Sequence, residues 1–420
     1  MTIAPLRLIR LAAGLGSVAL LVLAGWASVQ AYRVESLLTT MRPDDMERAV
    51  RLAPSYSLAW ARLGAVRERL GDSAGARAAL ERALTLNAYN ADAWIELGLY
   101  WELQGEPARA ERCLREAVRV DRTFPARWTL ANFYLRQQDS ARFWPAIREA
   151  VAVNRSDPSA AFELCWRASQ DSRQILEQCV PDDPAVLRRY FSYLTRAGRT
   201  AALPPIWDRL EPVLTPAEVP ATLTWADSLL ADGRIDFALR VWNRLCDAGL
   251  IRHRRLDPSR GHLLTNGKFA ERPVGQVFDW TLAPAEGVNA ELERSGGGSI
   301  LRLALSGTHR EQTDLLWQRA PVGPQQNYRL TGRYSTSGLH DDTGLSWTAE
   351  DAASGASLAA GRPLAASETS RNWELRFRTG PKTRLVRLLF AYRRSPGTTR
   401  ALGTVGLAEL ELENVGDRVR

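Results

Sequence analysis

"AWARLGAVRERLGDSAGARAALERALTLN" spans Ala59–Asn87. Its Ala, Leu, Arg and Glu favour helix, but Gly64 and Gly71 each weaken a helix interior by about 1 kcal/mol relative to Ala. The stretch is therefore either one flawed helix or half of something that repeats.

The residues that follow decide between these. Laying Ser57–Asn90 over Ala91–Phe124 pairs Trp60 with Trp94, Leu63 with Leu97, Gly64 with Gly98, Gly71 with Gly105, and Ala83 with Ala117, always 34 residues apart. Gly64 and Gly98 are small where a second helix must cross, and Ala76, Ala83, Ala110 and Ala117 serve the same contact. Gly71 and Gly105 suit a helix end with positive φ. Asp72 and Glu106 then open the next helix, where negative charge suits the dipole. The stretch reads as a helical hairpin, and in spacing and residue type it resembles the tetratricopeptide repeat.

The pattern runs both ways. "MERAVRLAPSY" from Met46 reads as a second helix standing alone, and "LANFYLRQQDSARFWPAIREAVAVN" from Leu130 fits with one residue deleted. Weaker helical pairs follow, with turns near Gln170 and at Gly198 and Gly233. The expectation is an all-α solenoid over residues 44–250. The resemblance implies a groove for a protein partner, lined by the first helix of each pair: Arg62, Arg69, Glu96, Leu99, Trp128, Asn132 and Arg136. Trp128 is displaced from the position held by Trp60 and Trp94, which with Tyr134 read as core. Cys165 and Cys179 lie on opposite arms of one hairpin, where an oxidising compartment permits a disulfide. Cys113 and Cys246 read as small buried apolar groups.

Leu11–Val29 contains no charge. Nineteen helical residues span nearly the ~30 Å of a bilayer core. Arg7 and Arg10 precede it, which keeps residues 1–10 in the cytoplasm and makes 11–31 a single-pass anchor in the inner membrane. A cleaved signal peptide is the alternative. Both place the bulk of the chain outside the cytoplasm, in the periplasm. The net charge of +8 on 420 residues comes almost wholly from Arg, with Lys268 and Lys382 the only lysines. That even spread argues against nucleic acid.

After a linker at 251–262 the texture changes. Stretches such as "NYRLTGRYST", "NWELRFRTG" and "RLVRLLFAYRR" alternate apolar and polar residues between turn-rich spacers, the pattern of an all-β sandwich at 263–415. Asn266, Gly267, Phe269 and Trp280, with the closing "LGTVGLAELELEN", resemble the galactose-binding-like jelly roll of carbohydrate-binding modules. Alternation puts Tyr328, Leu330, Leu375, Phe377, Val386 and Phe390 inside. It turns Arg329, Arg333, Arg376, Arg378 and Arg387 outward. If these strands share a sheet, its outer face suits an anionic glycan; a merely solvated face is the alternative.

No nucleophile elbow, phosphate loop or metal motif occurs, so neither catalysis nor a cofactor is expected. The sequence thus points to a multidomain, non-enzymatic, membrane-anchored extracytoplasmic scaffold binding protein partners through its repeats. Bacterial envelope polysaccharide assembly or export is a setting such an architecture suits. A carbohydrate-binding protein acting through its sandwich is the alternative.

Overall fold

The computed structural model describes the backbone of residues 4–295 and 298–416, and the side chains of 20–294 and 298–416. The chain divides into two compact units, Met1–Tyr193 and Leu194–Arg420.

The first unit is helical. It opens with α1 (Ala4–Thr40), α2 (Pro43–Leu52), α3 (Ser57–Arg69), α4 (Ser73–Leu86) and α5 (Ala91–Leu103). It continues with α6 (Pro107–Val120), α7 (Phe124–Arg136), α8 (Ser140–Val153), α9 (Ser159–Ala168), α10 (Ser172–Gln178) and α11 (Pro184–Arg196). Helix starts repeat at 34 residues from α3 to α5 and 33 from α5 to α7, and α4, α6 and α8 repeat the same spacings. The crossing contact rests on two glycines. A Cβ on Gly64 would lie 2.6 Å from Leu80 Cγ, and one on Gly98 2.7 Å from Leu114 Cγ. Asp72 caps α4 by accepting from the Gly75 amide, whereas Glu106 makes no side-chain cap for α6.

The helix at Met46 does not stand alone. Val34 and Leu38 of α1 are buried with Met46, Ala49 and Val50 of α2, so the C-terminal part of α1 is its missing partner. Sequence periodicity hides this because α1 runs unbroken into the apolar stretch. Leu11–Ala19 of the expected anchor falls outside the described side chains. Among the described residues no helix is long and apolar enough to cross a membrane.

The second unit begins with α12 (Pro204–Leu210), α13 (Val219–Ala231) and α14 (Ile235–Asp247). Two five-stranded antiparallel sheets follow. One has the order β1 (Thr281–Leu282), β4 (Gln312–Pro321), β9 (Leu385–Arg393), β6 (Leu345–Asp351), β7 (Ser357–Ala360). The other has β2 (Val288–Ser295), β3 (Gly298–Ser306), β10 (Leu402–Asn414), β5 (Asn327–Ser337), β8 (Arg371–Arg378). Their inner faces share one apolar core that includes Trp280, Leu303, Leu330, Trp347, Phe377, Phe390 and Leu407.

Residues 251–262, expected to be a linker, are packed. Ile251 and Leu256 are buried, and Asn243 of α14 both donates to the Leu256 carbonyl and accepts from its amide, each at 2.8 Å. Trp242 of α14 stacks on His253 at 5.5 Å, and the His253 ring lies 3.3 Å from buried Asp279. Asp227 of α13 accepts from the Val277 amide and from Arg319 of β4, while Arg384 bonds Asp236 of α14. The last helices and the sandwich are therefore one folded body. The sequence boundary at 250 marks a change of secondary structure within it.

Position 138 tests the repeat geometry. Gly71 and Gly105 close their hairpins at φ of 82° and 73°, and the equivalent residue of the third hairpin is Gln138 at 57°. A left-handed conformation costs a side chain about 1–2 kcal/mol, part of which glycine gives back by unfolded-state entropy. Gln138→Gly should raise the thermal midpoint by about 0.5–1 kcal/mol of stability, and Gly105→Gln should lower it. Calorimetry of the two variants should give shifts of opposite sign.

Candidate functional site

The surface with a repeating logic lies on the first helix of each hairpin. With the 34- and 33-residue offsets, Arg62 and Glu96 occupy one position, Leu99 and Asn132 a second, and Arg69 and Arg136 a third. These positions are three or four residues apart, so they form one stripe on each helix. Six of the seven residues expected in the groove fall on this stripe, and Trp128 lies beside it.

Its electrostatics are mixed. Arg62 sits 3.6 Å from Asp92. Burial pushes the half-buried Glu96 carboxyl above the usual range, opposed by the Arg62 and Arg69 charges. Arg136 grips Glu102 of α5 with two hydrogen bonds of 2.8 and 2.7 Å. Asn132 donates to the Trp128 carbonyl, and the half-buried Trp128 ring stacks on Phe124 at 5.5 Å. The stripe thus carries Leu99, with the Trp128 ring beside it and both signs of charge around them. That pattern suits a peptide segment better than a simple polyanion.

The displacement of Trp128 has a partner that sequence comparison missed. Trp60 and Trp94 each donate from the indole to a carbonyl six residues back, Pro54 and Ala88. Arg127 holds that position in α7 and reaches the equivalent carbonyl, Asp121. A second recurring device also went unread. Arg109 stacks over Trp101 at 4.6 Å, and 33 residues on Arg142 stacks over Tyr134 at 5.1 Å. Glu111 ties the latter together, meeting both Arg142 and the Tyr134 hydroxyl. The offset alone would have revealed both pairs.

The arginines expected on one sandwich face do not share a sheet. Arg329 and Arg333 lie on β5, and Arg376 and Arg378 on β8, with Arg329 and Arg376 directly opposed. Arg387 lies on β9 of the other sheet. There it meets Asp314 and Glu350 and stacks over Trp317, so Trp317 is half-buried beneath arginines instead of sitting in the core. Alternation fixes which face of its own strand a residue takes, but leaves open which sheet the strand joins. The first face is also not purely basic. Glu413 pairs with Arg329, Glu409 with Arg333 and Glu374 with Arg376.

A cleft of about 1070 Å³ crosses this face, lined among others by Lys268, Arg333, Asn372, Glu374, Glu409 and Glu411. The Asn266–Phe269 step builds one wall. Phe269 is buried in the core, Asn266 donates from its side-chain amide to the Glu271 carbonyl and accepts from the Glu271 amide, and Gly267 has room for no side chain because a Cβ would strike the Leu410 carbonyl. Among the described residues no group of three His, Cys, Asp or Glu side chains is placed to hold a metal ion.

The chain matches the tetratricopeptide repeat family over residues 58–90. No curated protein matches it in sequence. Among solved structures it is similar to a chain described as "CBM4 structure and function", with 9% identity over 36% of this chain and 97% of that one, TM-score 0.28. It is similar to MamA with 21% identity over 31% of this chain and 82% of that one, TM-score 0.25. It is also similar to YrrB, described as a TPR protein with an unusual peptide-binding site, with 13% identity over 48% and 91%, TM-score 0.25. The helical part is a tetratricopeptide-type repeat region and the C-terminal part an antiparallel β-sandwich.

Cys165 of α9 and Cys179 at the end of α10 are joined as a disulfide 14 residues apart, and both are fully buried. Burial pushes the free thiols of Cys113 and Cys246 up to about 11 and about 12. A loop of this length constrains the unfolded chain by about 3 kcal/mol. Cys165→Ser with Cys179→Ser should lower stability by about 2–4 kcal/mol. Dithiothreitol should lower the wild-type midpoint by a like amount and leave the double variant unmoved.

Proposed function

We propose that this protein is a non-enzymatic scaffold, held at a membrane by the N-terminal part of α1, that binds a protein partner through the stripe on α3, α5 and α7. The observation that carries the scaffold reading is the repetition of the stripe across three hairpins, with Leu99 on it and the Trp128 ring beside it. The observation that favours a membrane is on α1. Leu20, Leu21, Val22 and Leu23 are all 62–72% exposed. Four consecutive helical residues point 100° apart, so a single protein neighbour could not cover them, whereas lipid surrounds a helix. An extracytoplasmic setting, such as bacterial envelope polysaccharide assembly or export, fits this arrangement and a chain with a buried disulfide.

The stripe is tested with Leu99→Asp combined with Trp128→Ala. Proteins that co-purify with the wild type after crosslinking should fall at least ~tenfold with the variant, since aromatic and apolar anchors dominate such interfaces. The thermal midpoint should change little, because both side chains are half-buried. An unchanged set of crosslinked proteins would remove the stripe from the function.

A second reading, a carbohydrate-binding protein acting through its sandwich, draws on the cleft beside Lys268 and Arg333. The ion pairs on that face change the expected ligand. Its arginines are opposed by Glu374, Glu409 and Glu413, so a neutral glycan suits it better than the anionic one its arginines suggest. On a glycan array neutral sugars should bind with little dependence on salt, because no net charge has to be screened. Binding limited to acidic sugars at low salt would reverse this ligand class.

A further inference from the structure

We infer that one edge of the repeat unit, formed by the α2–α3 and α4–α5 turns, lies on the bilayer surface with Leu52 and Tyr89 in the headgroup layer. This rests on the membrane-held reading above and extends it to a second contact.

The argument is one of distance. The apolar stretch of α1 ends at Val29, and the first α1 residue buried in the repeat unit is Val34. Five helical residues rise about 7.5 Å, and no break in α1 separates the two. The headgroup layer on one side of a bilayer is about 5–8 Å thick. No room remains for a linker, so the first repeat begins where the lipid ends.

The direction of α2 selects the edge. It turns back on α1 after Met41 and Arg42 and packs antiparallel to it through Val34, Leu38, Met46 and Val50. Counting equal steps from that turn brings Leu52 level with about Ala31, at the lipid end of the unit. The Tyr56 hydroxyl, donating to Glu35 at 2.6 Å, holds the turn there. The next turn lies alongside, because Asn90 donates to the Ser57 hydroxyl at 2.6 Å and Ser57 donates to the Ala83 carbonyl.

The exposed side chains on this edge suit an interface. Leu52 is 51% and Tyr89 75% exposed. Tyrosine is enriched at headgroup depth because its ring is apolar and its tip polar. Arg33 and Arg82 stand within about two turns of the edge, and among the described residues neither has an acidic partner. Such cations strengthen contact with anionic lipid.

The test uses the full chain with Cys113→Ala and Cys246→Ala. An environment-sensitive dye is placed at Val22→Cys, Tyr89→Cys or Leu103→Cys, the last on the opposite edge. Vesicles contain phosphatidylglycerol and a phosphatidylcholine brominated near the headgroup end of its chains. Bromine should dim the dye at positions 22 and 89 at least about twofold and spare position 103, since interfacial groups sit about 5–10 Å into the boundary. Dimming at 22 with positions 89 and 103 equally bright would overturn the edge contact and leave the anchor standing. No dimming at 22 would sink the membrane reading and this inference with it. Hydrogen exchange on the unmodified chain gives a second readout. Amides of residues 52–57 and 87–91 should exchange about tenfold more slowly in vesicles than in detergent micelles, and equal rates would count against the contact.

Discussion

The repeat unit depends on how closely two helices can approach at Gly64 and Gly98. With Leu80 and Leu114 within 2.6–2.7 Å of where a Cβ would stand, no other residue fits unless the leucines move. Interiors packed near crystal density have no slack to absorb such a shift. The opposing helix contributes alanines at its own contact points, Ala76, Ala83, Ala110 and Ala117, all without exposed surface. Small residues on both sides bring the backbones together, and the larger side chains are displaced to the flanks. The stripe is one result: once the contact positions are filled by small groups, the residues between them recur at the same offsets from one hairpin to the next, half-exposed at Arg62, Glu96, Leu99 and Asn132 and buried at Ala65.

The third hairpin shows how far this rule bends. Ala131 replaces the glycine, Gln138 the left-handed turn residue, and Arg127 the tryptophan. Each replacement keeps a physical role while the residue changes. Arg127 still donates to the carbonyl six residues back, and Gln138 still adopts positive φ at 57°. The single deletion falls in the loop before α7, where it shortens a turn and leaves the helix faces aligned.

This explains which parts of the fold were legible. Period and small-residue spacing exposed the hairpins, since the contact at each glycine constrains residue identity strongly. The partner of α2 was hidden, because α1 carries an apolar pattern of its own that runs through the packing positions. The sandwich strands were legible from alternation, and Tyr328, Leu330, Phe377 and Phe390 are all buried. Sheet membership was not, because it depends on long-range order: β9 pairs with β4 and β6, while β8 pairs with β5. Arg387 therefore changed sheets without changing its face. The acidic partners of the other arginines come from β10 and from β8 itself, so a face that reads as basic strand by strand becomes mixed once the strands are assembled.

The same assembly governs where a functional boundary can be drawn. Asp227, Asp236 and Trp242 are helical residues by sequence pattern, yet their partners Arg319, Arg384, His253 and Phe278 belong to the sandwich or the segment leading into it. Asp279 is wholly buried, and burying a carboxylate is costly unless polar groups compensate it. Its partners are the Val274 amide and the His253 ring, which itself stacks on Trp242 of α14. Cutting the chain after Leu250 would strip the cover from that carboxylate and from Leu256. A fragment that reports on the sandwich must therefore carry α13 and α14, and the helical repeats that act as a separate surface are those of the first unit.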